Sequence, residues 1–475
     1  MLLHEKQKAI ASSPARFKTI RAGRKGGKTA LEVETISFKA TASVTRLKLN
    51  KKVFASGRKV IYIAPTQLQA RNIVWEALKQ RLHGIYTANE QLLQMKVPNE
   101  DGQVTTIYVG GWENRENYRG LTDVIHITFD ETDTLKDFFL GWIKIFRPLF
   151  LDTGGTADFV GTPQKENPNL RRLEKEFEGR PDAASFHFTS ADNPHLSRDE
   201  LESTRKEYAN DQDAYKQEIL AEYVDNAGAL FKYTALLDMF NTAVVKTEKF
   251  LTVDVADDGS DKTIFTLWHG LEAYQINMYA QLQTDGIIST IREVAALHNV
   301  PYSHIAVDAI GVGAGVASSP LLTGIVGFKS SYSALRVEKS IIALPNIHYL
   351  GKPPLVSDFK NLRSQCVFAL ARLVNDHKIA VKTKDELVRS HIIEELSNYQ
   401  DASQGDGKRM ATQKDDIKAA IGRSPDISDT LIMRMYFELM KQLVPEQSAE
   451  GSALKNKQDN FFATNAEVNR QFDAA

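Results

Sequence analysis

The chain has 475 residues, of which 42% are hydrophobic and 25% charged, and its formal net charge is −1. This length favours two domains of about 200 residues each, and the composition is that of an ordinary soluble protein. No apolar run is long enough to cross a bilayer, which argues against an integral membrane protein. The single cysteine, Cys366, excludes an internal disulfide and argues against structural zinc.

Positive charge is concentrated near the start of the chain. Residues 1–60 carry 15 Lys or Arg against three Glu, a local excess of 12 positive charges. This asymmetry favours a local contact with a polyanion, with a solvated basic face as the alternative. The first residues lack the apolar core of a signal peptide, so we expect them to be part of the fold.

Short β-branched apolar runs follow one another from residue 17 to about residue 165, and they predict buried strands. Helix-like segments lie between some of them, for instance TALEVETISFKATA and TQLQARNIVWEALKQRL. This alternation predicts an α/β fold with a parallel-rich sheet covered by helices. The strand sequences are FKTI, KVIYIA, TTIYVG, VIHITFD and ADFVGT.

The pattern changes after this region. Residues 165 to about 225 are charged and helical in period, and they predict a small helical connector. A second strand series then follows in KFLTVDVADDG, TIFTLWHG and EAYQINMYAQL, with a helix-like segment and the run HIAVDAI after it. Three strands in meander order, then a helix and a further strand, is the opening order of a ribonuclease H-like fold.

These changes predict the domain boundaries. We expect an N-terminal domain over residues 1–225, including the helical connector from about residue 165, and a linker over residues 226–248. The ribonuclease H-like domain is predicted over residues 249–445. The polar, weakly periodic residues 446–475 predict a flexible tail.

The segment AGRKGGKT follows the first predicted strand and precedes a predicted helix. Only its Gly-Lys-Thr end matches the standard phosphate loop, because Ala22 stands where that pattern has its first glycine. A strand that enters a Gly-rich turn and then a helix aims N–H groups at phosphate oxygens. We expect Lys28 to reach the β- and γ-phosphates of a nucleotide and Thr29 to bind Mg²⁺. A Gly-rich basic turn without function is the alternative.

An acidic pair ends the apolar strand in VIHITFDET, about a hundred residues after the phosphate loop. Asp130 is expected to hold Mg²⁺ through water, and Glu131 to polarise the attacking nucleophile. The strand in ADFVGTPQ ends in Gly161, Thr162 and Pro163, small residues at a sheet edge where a γ-phosphate sensor would lie. A simple strand-to-loop turn is the alternative there.

Acidic residues at strand and helix ends form a second candidate site. Asp254 lies inside the apolar strand of FLTVDVADDG, where a charge is costly unless a cation or hydrogen-bond donors compensate it. Asp308 ends the apolar strand of HIAVDAIGVGAG and precedes glycines that leave room for a phosphate backbone. In SPDISDTL, Asp426 and Asp429 begin a predicted helix and share one face of it.

Carboxylates on separate elements are suited to two divalent ions that act together on a phosphodiester. Oxygen ligands favour Mg²⁺ or Mn²⁺ over zinc. Asp426 is also a typical N-cap and Asp254 a typical strand-end residue, and which of Asp426 and Asp429 contacts metal stays open. The Lys and Arg residues of GDGKRMATQKDDIKAAIGR either guide DNA to this site or belong to a solvated loop.

The motifs LHEKQ, AGRKGGKT, YRGLTDVIHITFDE, FVGTP and SPDISDTL, in this order, resemble those of the large terminase subunits of tailed double-stranded DNA bacteriophages. The resemblance spans roughly residues 1–440. Arg24 matches the family's variant phosphate loop, whereas Thr430 stands where the family has alanine. The resemblance implies an N-terminal P-loop ATPase domain and a C-terminal ribonuclease H-like nuclease domain.

The resemblance also implies roles for individual residues. It implies that Gln7 contacts adenine, and that Arg119 in YRG serves the ATPase site of a neighbouring subunit in a ring. A solvated glutamine and an arginine paired with a nearby carboxylate are the respective alternatives. The implied nucleotide-binding residues are Gln7, Arg24, Gly26, Gly27, Lys28, Thr29 and Asp130, and the implied coupling residues are Gly161, Thr162 and Pro163.

The implied function is DNA packaging, in which ATP hydrolysis with Mg²⁺ moves double-stranded DNA into a procapsid and a nuclease with two Mg²⁺ or Mn²⁺ ions cuts concatemeric DNA. The implied partners are the portal protein of the procapsid and a small terminase subunit, with no membrane. A homo-oligomeric ring is expected when the protein is docked, a monomer is left open for the free protein, and the implied location is the host cytoplasm. A helicase-nuclease of DNA repair and a noncatalytic, nucleotide-regulated DNA-binding scaffold are the two alternatives.

Overall fold

The structure is a computed structural model that describes residues 3–50, 54, 57–165, 168–226, 228–256, 262–280, 282–335, 337–338, 355–356, 358–404 and 407–442. The chain divides into two compact units, Met1–Asn226 and Ala227–Ala475. The predicted tail, residues 446–475, lies outside the described residues. None of the described helices is long and apolar enough to cross a membrane.

An eight-stranded sheet forms the centre of the first unit. Its strands are β1 (Phe17–Ala22), β2 (Arg58–Ala64), β3 (Thr87–Asn89), β4 (Gln94–Pro98), β5 (Val104–Gly111), β6 (Val124–Phe129), β7 (Thr156–Gly161) and β8 (Ala183–Phe188). They lie in the order β3-β4-β5-β2-β6-β7-β1-β8, and the six strands from β5 to β8 in this order run parallel. The predicted parallel-rich α/β sheet is therefore confirmed.

Helices cover this sheet. They are α1 (Glu5–Ser12), α2 (Lys28–Thr41), α3 (Val44–Leu47), α4 (Gln67–Ala70), α5 (Glu76–Arg81), α6 (Phe138–Gly141), α7 (Asn169–Phe177), α8 (Arg198–Glu207) and α9 (Gln212–Glu218). On one face α2 packs through Val33 and Ile36 against the apolar side chains of β2. On the other face an aromatic cluster includes Phe129 and Phe159, whose rings stack with centroids 5.4 Å apart.

The region predicted as a helical connector differs from the structure in one element. Residues 183–188 form β8, which pairs in parallel with the whole of β1. The sequence AASFHF does not have a buried apolar run, because β8 is an edge strand on which Ser185 and His187 are exposed. The connector therefore completes the sheet of the first unit.

The second unit contains a six-stranded sheet and a separate pair of short strands. Its strands are β9 (Lys249–Asp254), β10 (Lys262–His269), β11 (Glu272–Ala280), β12 (Ile305–Asp308), β13 (Val326–Phe328), β14 (Val337–Glu338), β15 (Leu355–Val356) and β16 (Ala380–Val381). In the large sheet, of order β13-β12-β9-β10-β11-β16, the meander β9-β10-β11 is antiparallel and β12 joins β9 in parallel. This arrangement confirms the predicted ribonuclease H-like order.

Helices pack on both faces of this second sheet. They are α10 (Tyr233–Asp238), α11 (Thr284–His298), α12 (Val312–Ala317), α13 (Leu362–Asn375), α14 (Glu386–Ser397), α15 (Lys414–Ile421) and α16 (Asp426–Gln442). The segment predicted as a linker, residues 226–248, contains α10, whose Leu236 and Leu237 are buried in the core of the second unit. Cys366 is buried in the same core.

Candidate functional site

The phosphate loop joins the end of β1 to the start of α2 and turns sharply on its glycines. Gly27 has a φ of +104°, and a Cβ atom there would lie 2.6 Å from Nε2 of Gln7. A Cβ atom on Gly26 would lie 2.9 Å from the carbonyl oxygen of Gly23. Glycine at both positions is therefore required for this loop conformation.

Side chains around the loop hold its carbonyl groups. Gln7 Nε2 donates to the carbonyl oxygen of Gly27 over 2.7 Å, and Asn193 Nδ2 donates to that of Lys25, also over 2.7 Å. The first N–H groups of α2 have no acceptor within the helix. Because these carbonyls are bonded to the protein, the loop offers mainly N–H donors to a ligand, as anion binding requires.

Two residues implied to bind nucleotide contact the protein itself in this structure. Gln7 is buried, and its Oε1 accepts from the backbone N–H of His4, so its amide is used to hold the loop. Arg24 pairs with Glu218 through its Nε. The adenine contact of Gln7 and the nucleotide contact of Arg24 stay predictions.

Lys28 connects the loop to two neighbouring strand ends. Its Nζ donates to Thr162 Oγ1 over 2.6 Å and lies 3.4 Å from Glu131 Oε1. Thr162 donates in turn to the carbonyl oxygen of Ala22 over 3.0 Å. Lys28, Glu131 and Thr162, which the sequence predicts to bind phosphate, polarise the nucleophile and couple hydrolysis to movement, thus lie together. They meet at the carboxyl ends of parallel strands, where α/β sheets bind ligands.

Asp130 lies at the end of β6 and is buried. Its Oδ2 accepts from Tyr62 over 2.6 Å, and its Oδ1 accepts from the backbone N–H of Glu131 over 2.8 Å. Burial and the neighbouring Glu131 raise the pKa of Asp130 to about 6. Glu131 itself has a φ of +47°, a left-handed conformation that a residue with a side chain rarely adopts.

One acidic residue of this site, Glu32, does not belong to any of the sequence motifs. Glu32 lies on α2 one turn after Lys28, is only 2% exposed, and has no hydrogen-bond partner for either carboxylate oxygen among the described residues. Burial and the neighbouring Asp130 raise the pKa of Glu32 well above its usual range. The four-residue spacing from Lys28 is the signal that places both side chains on one helix face.

Three further residues of the first unit were predicted to serve the ATPase site: Arg119, Gly161 and Pro163. Arg119 is exposed and forms an ion pair with Glu116 at 2.9 Å. This contact agrees with the alternative in which the arginine pairs with a nearby carboxylate. Gly161 ends β7, and Pro163 is buried just beyond it. The roles of Arg119 toward a neighbouring subunit and of Gly161 and Pro163 in coupling stay predictions.

In the second unit, the predicted carboxylates gather around one ammonium group, that of Lys414. Its Nζ lies 2.6 Å from Asp429 Oδ2, 3.7 Å from Asp426 Oδ1 and 4.0 Å from Asp254 Oδ2. The charge of Asp308 acts on Asp254, and the buried Oδ1 of Asp308 lacks a hydrogen-bond partner among the described residues. Four acids from β9, β12 and α16 thus share one site.

The charges at this site oppose one another. Burial raises the pKa of Asp254 well above its usual range, although Lys414 acts against it. Burial and the charge of Asp429 raise the pKa of Asp308 to about 6. For Asp429 itself, burial is outweighed by Lys414 and Arg363, which hold its pKa below the usual value.

Two cations of this site were not predicted as site residues. Arg363 Nη2 donates to Tyr399 Oη over 2.8 Å and to Asp429 Oδ1 over 3.3 Å. Lys414 belongs to the basic segment that the sequence analysis assigned either to DNA guidance or to a solvated loop. Its position among the aspartates is a tertiary contact that the local sequence does not encode.

The donor chemistry of this site fits a divalent cation. Within the described residues, no three His, Cys, Asp or Glu side chains stand in an arrangement that holds a metal ion as they are. The unpartnered oxygen of Asp308 and the neighbouring carboxylates are nevertheless the hard ligands that Mg²⁺ and Mn²⁺ prefer. Because Lys414 lies between these carboxylates, a metal ion would have to displace its ammonium group.

Several solved structures are similar to parts or most of this chain. The large terminase ATPase domain of Thermus phage P74-26 is 22% identical, covers 47% of this chain and 94% of its own, and has a TM-score of 0.38. The nuclease domain of the large terminase subunit gp2 of bacterial virus Sf6 is 21% identical, with coverages of 44% and 98% and a TM-score of 0.36. The large terminase of a thermophilic bacteriophage is 15% identical, with coverages of 92% and 99% and a TM-score of 0.40.

A search of curated protein sequences gave no match. A family model does match the first half of the chain, and it spans the phosphate loop, the acidic strand end and Thr162. Residues 19–238 match the model described as the N-terminal part of the terminase large subunit of T4likevirus type, which confirms the resemblance to large terminase subunits predicted from the sequence.

Proposed function

We propose that this chain is a DNA-packaging motor that couples ATP hydrolysis to the movement of double-stranded DNA into a procapsid and cuts concatemeric DNA with a second, metal-dependent site. One observation supports this function above all. Lys28 contacts both Thr162 and Glu131 within a region that matches the terminase family model. A phosphate-binding group, a candidate catalytic carboxylate and a candidate coupling residue are thereby linked through one side chain.

In the ATPase site, Thr29 and Asp130 would hold Mg²⁺, and the loop N–H groups with Lys28 would hold the phosphates. When bound, Mg²⁺ would neutralise the negative charge that develops during phosphoryl transfer. Lys28 leaves Glu131 and Thr162 when it turns to the phosphates. Glu131 is then available to polarise a water molecule, and Thr162 loses a hydrogen-bond partner. Loss of the hydrogen bond from Lys28 to Thr162 would couple nucleotide binding to the end of β7, which directly precedes Thr162.

In the nuclease site, Asp254, Asp308, Asp426 and Asp429 would hold two Mg²⁺ or Mn²⁺ ions, which supply an activated water and stabilise the leaving oxygen. Arg363 keeps one oxygen of Asp429 oriented while Lys414 withdraws. The basic residues near Lys414 would then face the phosphate backbone of DNA. Such contacts are salt-sensitive and carry little sequence preference.

The remaining assignments are part of the same proposal. We assign the ATPase domain to residues 1–225 and the nuclease domain to residues 249–445 together with α10, which packs in the core of the second unit. The partners would be double-stranded DNA, the portal protein and a small terminase subunit. Subunits would act as a homo-oligomeric ring in the host cytoplasm, with Arg119 serving the neighbouring ATPase site.

An ATPase assay with and without double-stranded DNA tests the motor. Lys28→Ala and Glu131→Gln are each expected to lower DNA-stimulated turnover by at least about a hundredfold, because they remove a phosphate ligand and the group that polarises water. Lys8→Ala is the matched control, since Lys8 is exposed and pairs with the exposed Glu5 at 2.7 Å. Unchanged turnover in both site variants would leave the DNA-binding scaffold as the better function. Strand separation on forked DNA would favour the helicase-nuclease.

Plasmid cleavage in Mn²⁺ tests the second site. Asp308→Ala is expected to abolish cleavage while DNA-stimulated ATP turnover continues, because the two sites lie in different units. Asp376→Ala is a suitable control, since Asp376 is exposed in the same unit and pairs with Lys378 at 3.3 Å. Cleavage that persists in Asp308→Ala would contradict the nuclease assignment.

A further inference from the structure

We propose that Glu32 is a positioning residue of the nucleotide site, whose carboxylate accepts hydrogen bonds from the hydrated Mg²⁺ that Thr29 and Asp130 would hold. This inference rests on the proposed ATPase function and adds a residue to it. Neither the phosphate-loop pattern nor the acidic strand end includes Glu32. Its assignment comes from its burial, its unpartnered oxygen atoms and the charges around it.

The burial of Glu32 is not compensated by a backbone or side-chain N–H donor within the described part of this unit. Glu32 is 2% exposed, and neither of its carboxylate oxygens has a hydrogen-bond partner among the described residues. A buried carboxylate without donors is costly, and an apolar residue of similar size would pack at lower cost. A residue that serves only the core would therefore be expected to be apolar here, as Val33 and Ile36 are on the same helix.

A second buried acid in the same unit shows how a structural carboxylate is satisfied. Asp133 is 1% exposed, and its two oxygens accept from the backbone N–H groups of Leu170 over 2.6 Å and Gln164 over 3.0 Å. The fold therefore supplies donors where a carboxylate has a structural role. For Glu32 the described residues supply no N–H donor, and Asp130 can share a hydrogen bond with it only while one of the two acids is protonated. Once both are ionised, the donors would have to come with a ligand.

The charges that act on Glu32 are those of the nucleotide site. Asp130, Lys28 and Glu131 all act electrostatically on its carboxylate. Glu32 lies four residues after Lys28 and three residues after Thr29, so it neighbours each of these two residues on the surface of α2. A divalent ion beside Thr29 and Asp130 would relieve the repulsion between Glu32 and Asp130, and its coordinated waters would supply the donors that Glu32 lacks.

Nucleotide-dependent Mn²⁺ binding to the full-length chain, measured by electron paramagnetic resonance with a nonhydrolysable ATP analogue, tests this role. The experiment is done in an Asp308→Ala background, so that ions at the second site contribute less. Glu32→Gln is expected to weaken Mn²⁺ affinity by roughly tenfold or more, the usual effect of losing a group that supports a metal ligand. Its affinity for the analogue in EDTA is expected to stay at the parent value.

Glu34→Gln is the matched control, because Glu34 lies on the same helix but accepts from Arg81 Nε over 2.8 Å and 3.0 Å. It should bind Mn²⁺ like the parent. The inference is overturned if Glu32→Gln keeps the parental Mn²⁺ affinity. It is also overturned if this variant loses analogue affinity equally in EDTA, since that loss indicates a damaged loop.

If Glu32→Gln does not fold, Glu32→Asp takes its place, because it keeps an acceptor but withdraws it by one methylene. A weaker Mn²⁺ affinity in Glu32→Asp supports the inference, and an unchanged affinity overturns it. A wrong assignment of the ATPase function would give a different result from a wrong role for Glu32. In that case the parent protein shows no nucleotide-dependent Mn²⁺ site at all, whatever residue occupies position 32.

Discussion

The hydroxyl group of Tyr62 acts on the electrostatics of the first site. It donates to Asp130 over 2.6 Å, and this contact lowers the pKa of a carboxyl group that burial and Glu131 raise to about 6. In Tyr62→Phe the pKa of Asp130 should rise further, so the acid limb of ATP turnover should move to higher pH. At neutral pH we expect turnover to fall by roughly tenfold.

The pH dependence of kcat/KM for ATP measures this effect. Tyr108→Phe is the control, because Tyr108 pairs with Ile61, so its side chain lies on the opposite face of the sheet from Tyr62. An acid limb that stays in place in Tyr62→Phe would show that the hydrogen bond does not tune Asp130.

At the second site, protons would compete with the proposed metal ions for the same carboxylates. Metal binding requires deprotonated ligands, and burial raises the pKa of Asp308 to about 6 and that of Asp254 above its usual range. Mn²⁺ affinity should therefore rise with pH, most steeply between about pH 5 and pH 7. Calorimetric titration of Mn²⁺ into the Lys28→Ala variant checks this, and an affinity that does not change over this range would contradict it.

The sequence predicts those site residues that local patterns position. Lys28 follows a glycine turn, and Asp130 and Asp308 end apolar strands, so the order of strands alone brings them to a sheet edge. Arg363 reaches Asp429 from 66 residues earlier in the chain, and Lys414 reaches it from the preceding helix, α15. No motif in the sequence marks either cation as a site residue, and only tertiary packing shows their contacts with Asp429.

At the scale of elements, the turn before α2 depends on Gly27. Gly27→Ala places a Cβ atom 2.6 Å from Gln7 Nε2 in a backbone with a φ of +104°. The conformation alone costs about 1–2 kcal/mol for a residue with a side chain. Because Gln7 must also leave the loop, we expect a larger loss of stability together with weaker nucleotide binding.

Gly84→Ala separates the cost of the left-handed backbone conformation from the cost of displacing Gln7. Gly84 has a φ of +85°, and a Cβ atom added there would meet no described atom within 4 Å, so this variant should lose about 1–2 kcal/mol through conformation alone. Thermal unfolding and binding of a fluorescent nucleotide measure both effects. Equal losses in the two variants, with nucleotide binding retained in Gly27→Ala, would contradict the role of Gln7.

The start of α16, which carries Asp426 and Asp429, depends on a buried carboxylate. Glu395 is fully buried, accepts from the N–H of Ser428 over 2.7 Å and pairs with Arg423. Arg423→Met removes its counter-charge, which should cost about 3 kcal/mol. For a unit of this size the midpoint of thermal unfolding should fall by about 6–12 °C.

Glu394→Gln is the control for this variant, since Glu394 is the exposed second partner of Arg423 at 2.6 Å. Loss of an exposed ion pair should cost less than about 1 kcal/mol. Scanning calorimetry compares the two variants. Similar midpoints for both would show that Glu395 does not need Arg423.

The strands at the centre of the first sheet were predicted from their apolar sequences, whereas the strands at its two edges were not. The runs that form β1, β2, β6 and β7 are largely apolar, because those strands are buried on both faces of the sheet. Strand β8 and the β3–β4 hairpin lie at the two edges, where exposed positions interrupt the apolar pattern. Burial at the sheet centre is therefore what makes a strand predictable in this chain.

At the scale of the whole molecule, each unit has its own sheet, its own apolar core and its own set of candidate ligands. The candidate nucleotide-binding residues all belong to the first unit, and the carboxylates proposed to hold the nuclease metal ions belong to the second. A ligand that binds only the native state stabilises the unit that binds it, by about 2.7 kcal/mol at a hundredfold excess over its Kd. We therefore expect two transitions in scanning calorimetry of the full chain.

A nonhydrolysable ATP analogue with Mg²⁺ should raise the midpoint of one transition by about 5–10 °C, and Mn²⁺ without nucleotide should raise the other by a similar amount. Lys28→Ala should remove the first shift and leave the second, because Lys28 contacts Thr162 and Glu131 of the first unit. Asp308→Ala should do the reverse. If one ligand moved both transitions together, or a single variant abolished both shifts, the two sites would be thermodynamically coupled, and binding at one would have to be described as a property of the whole chain.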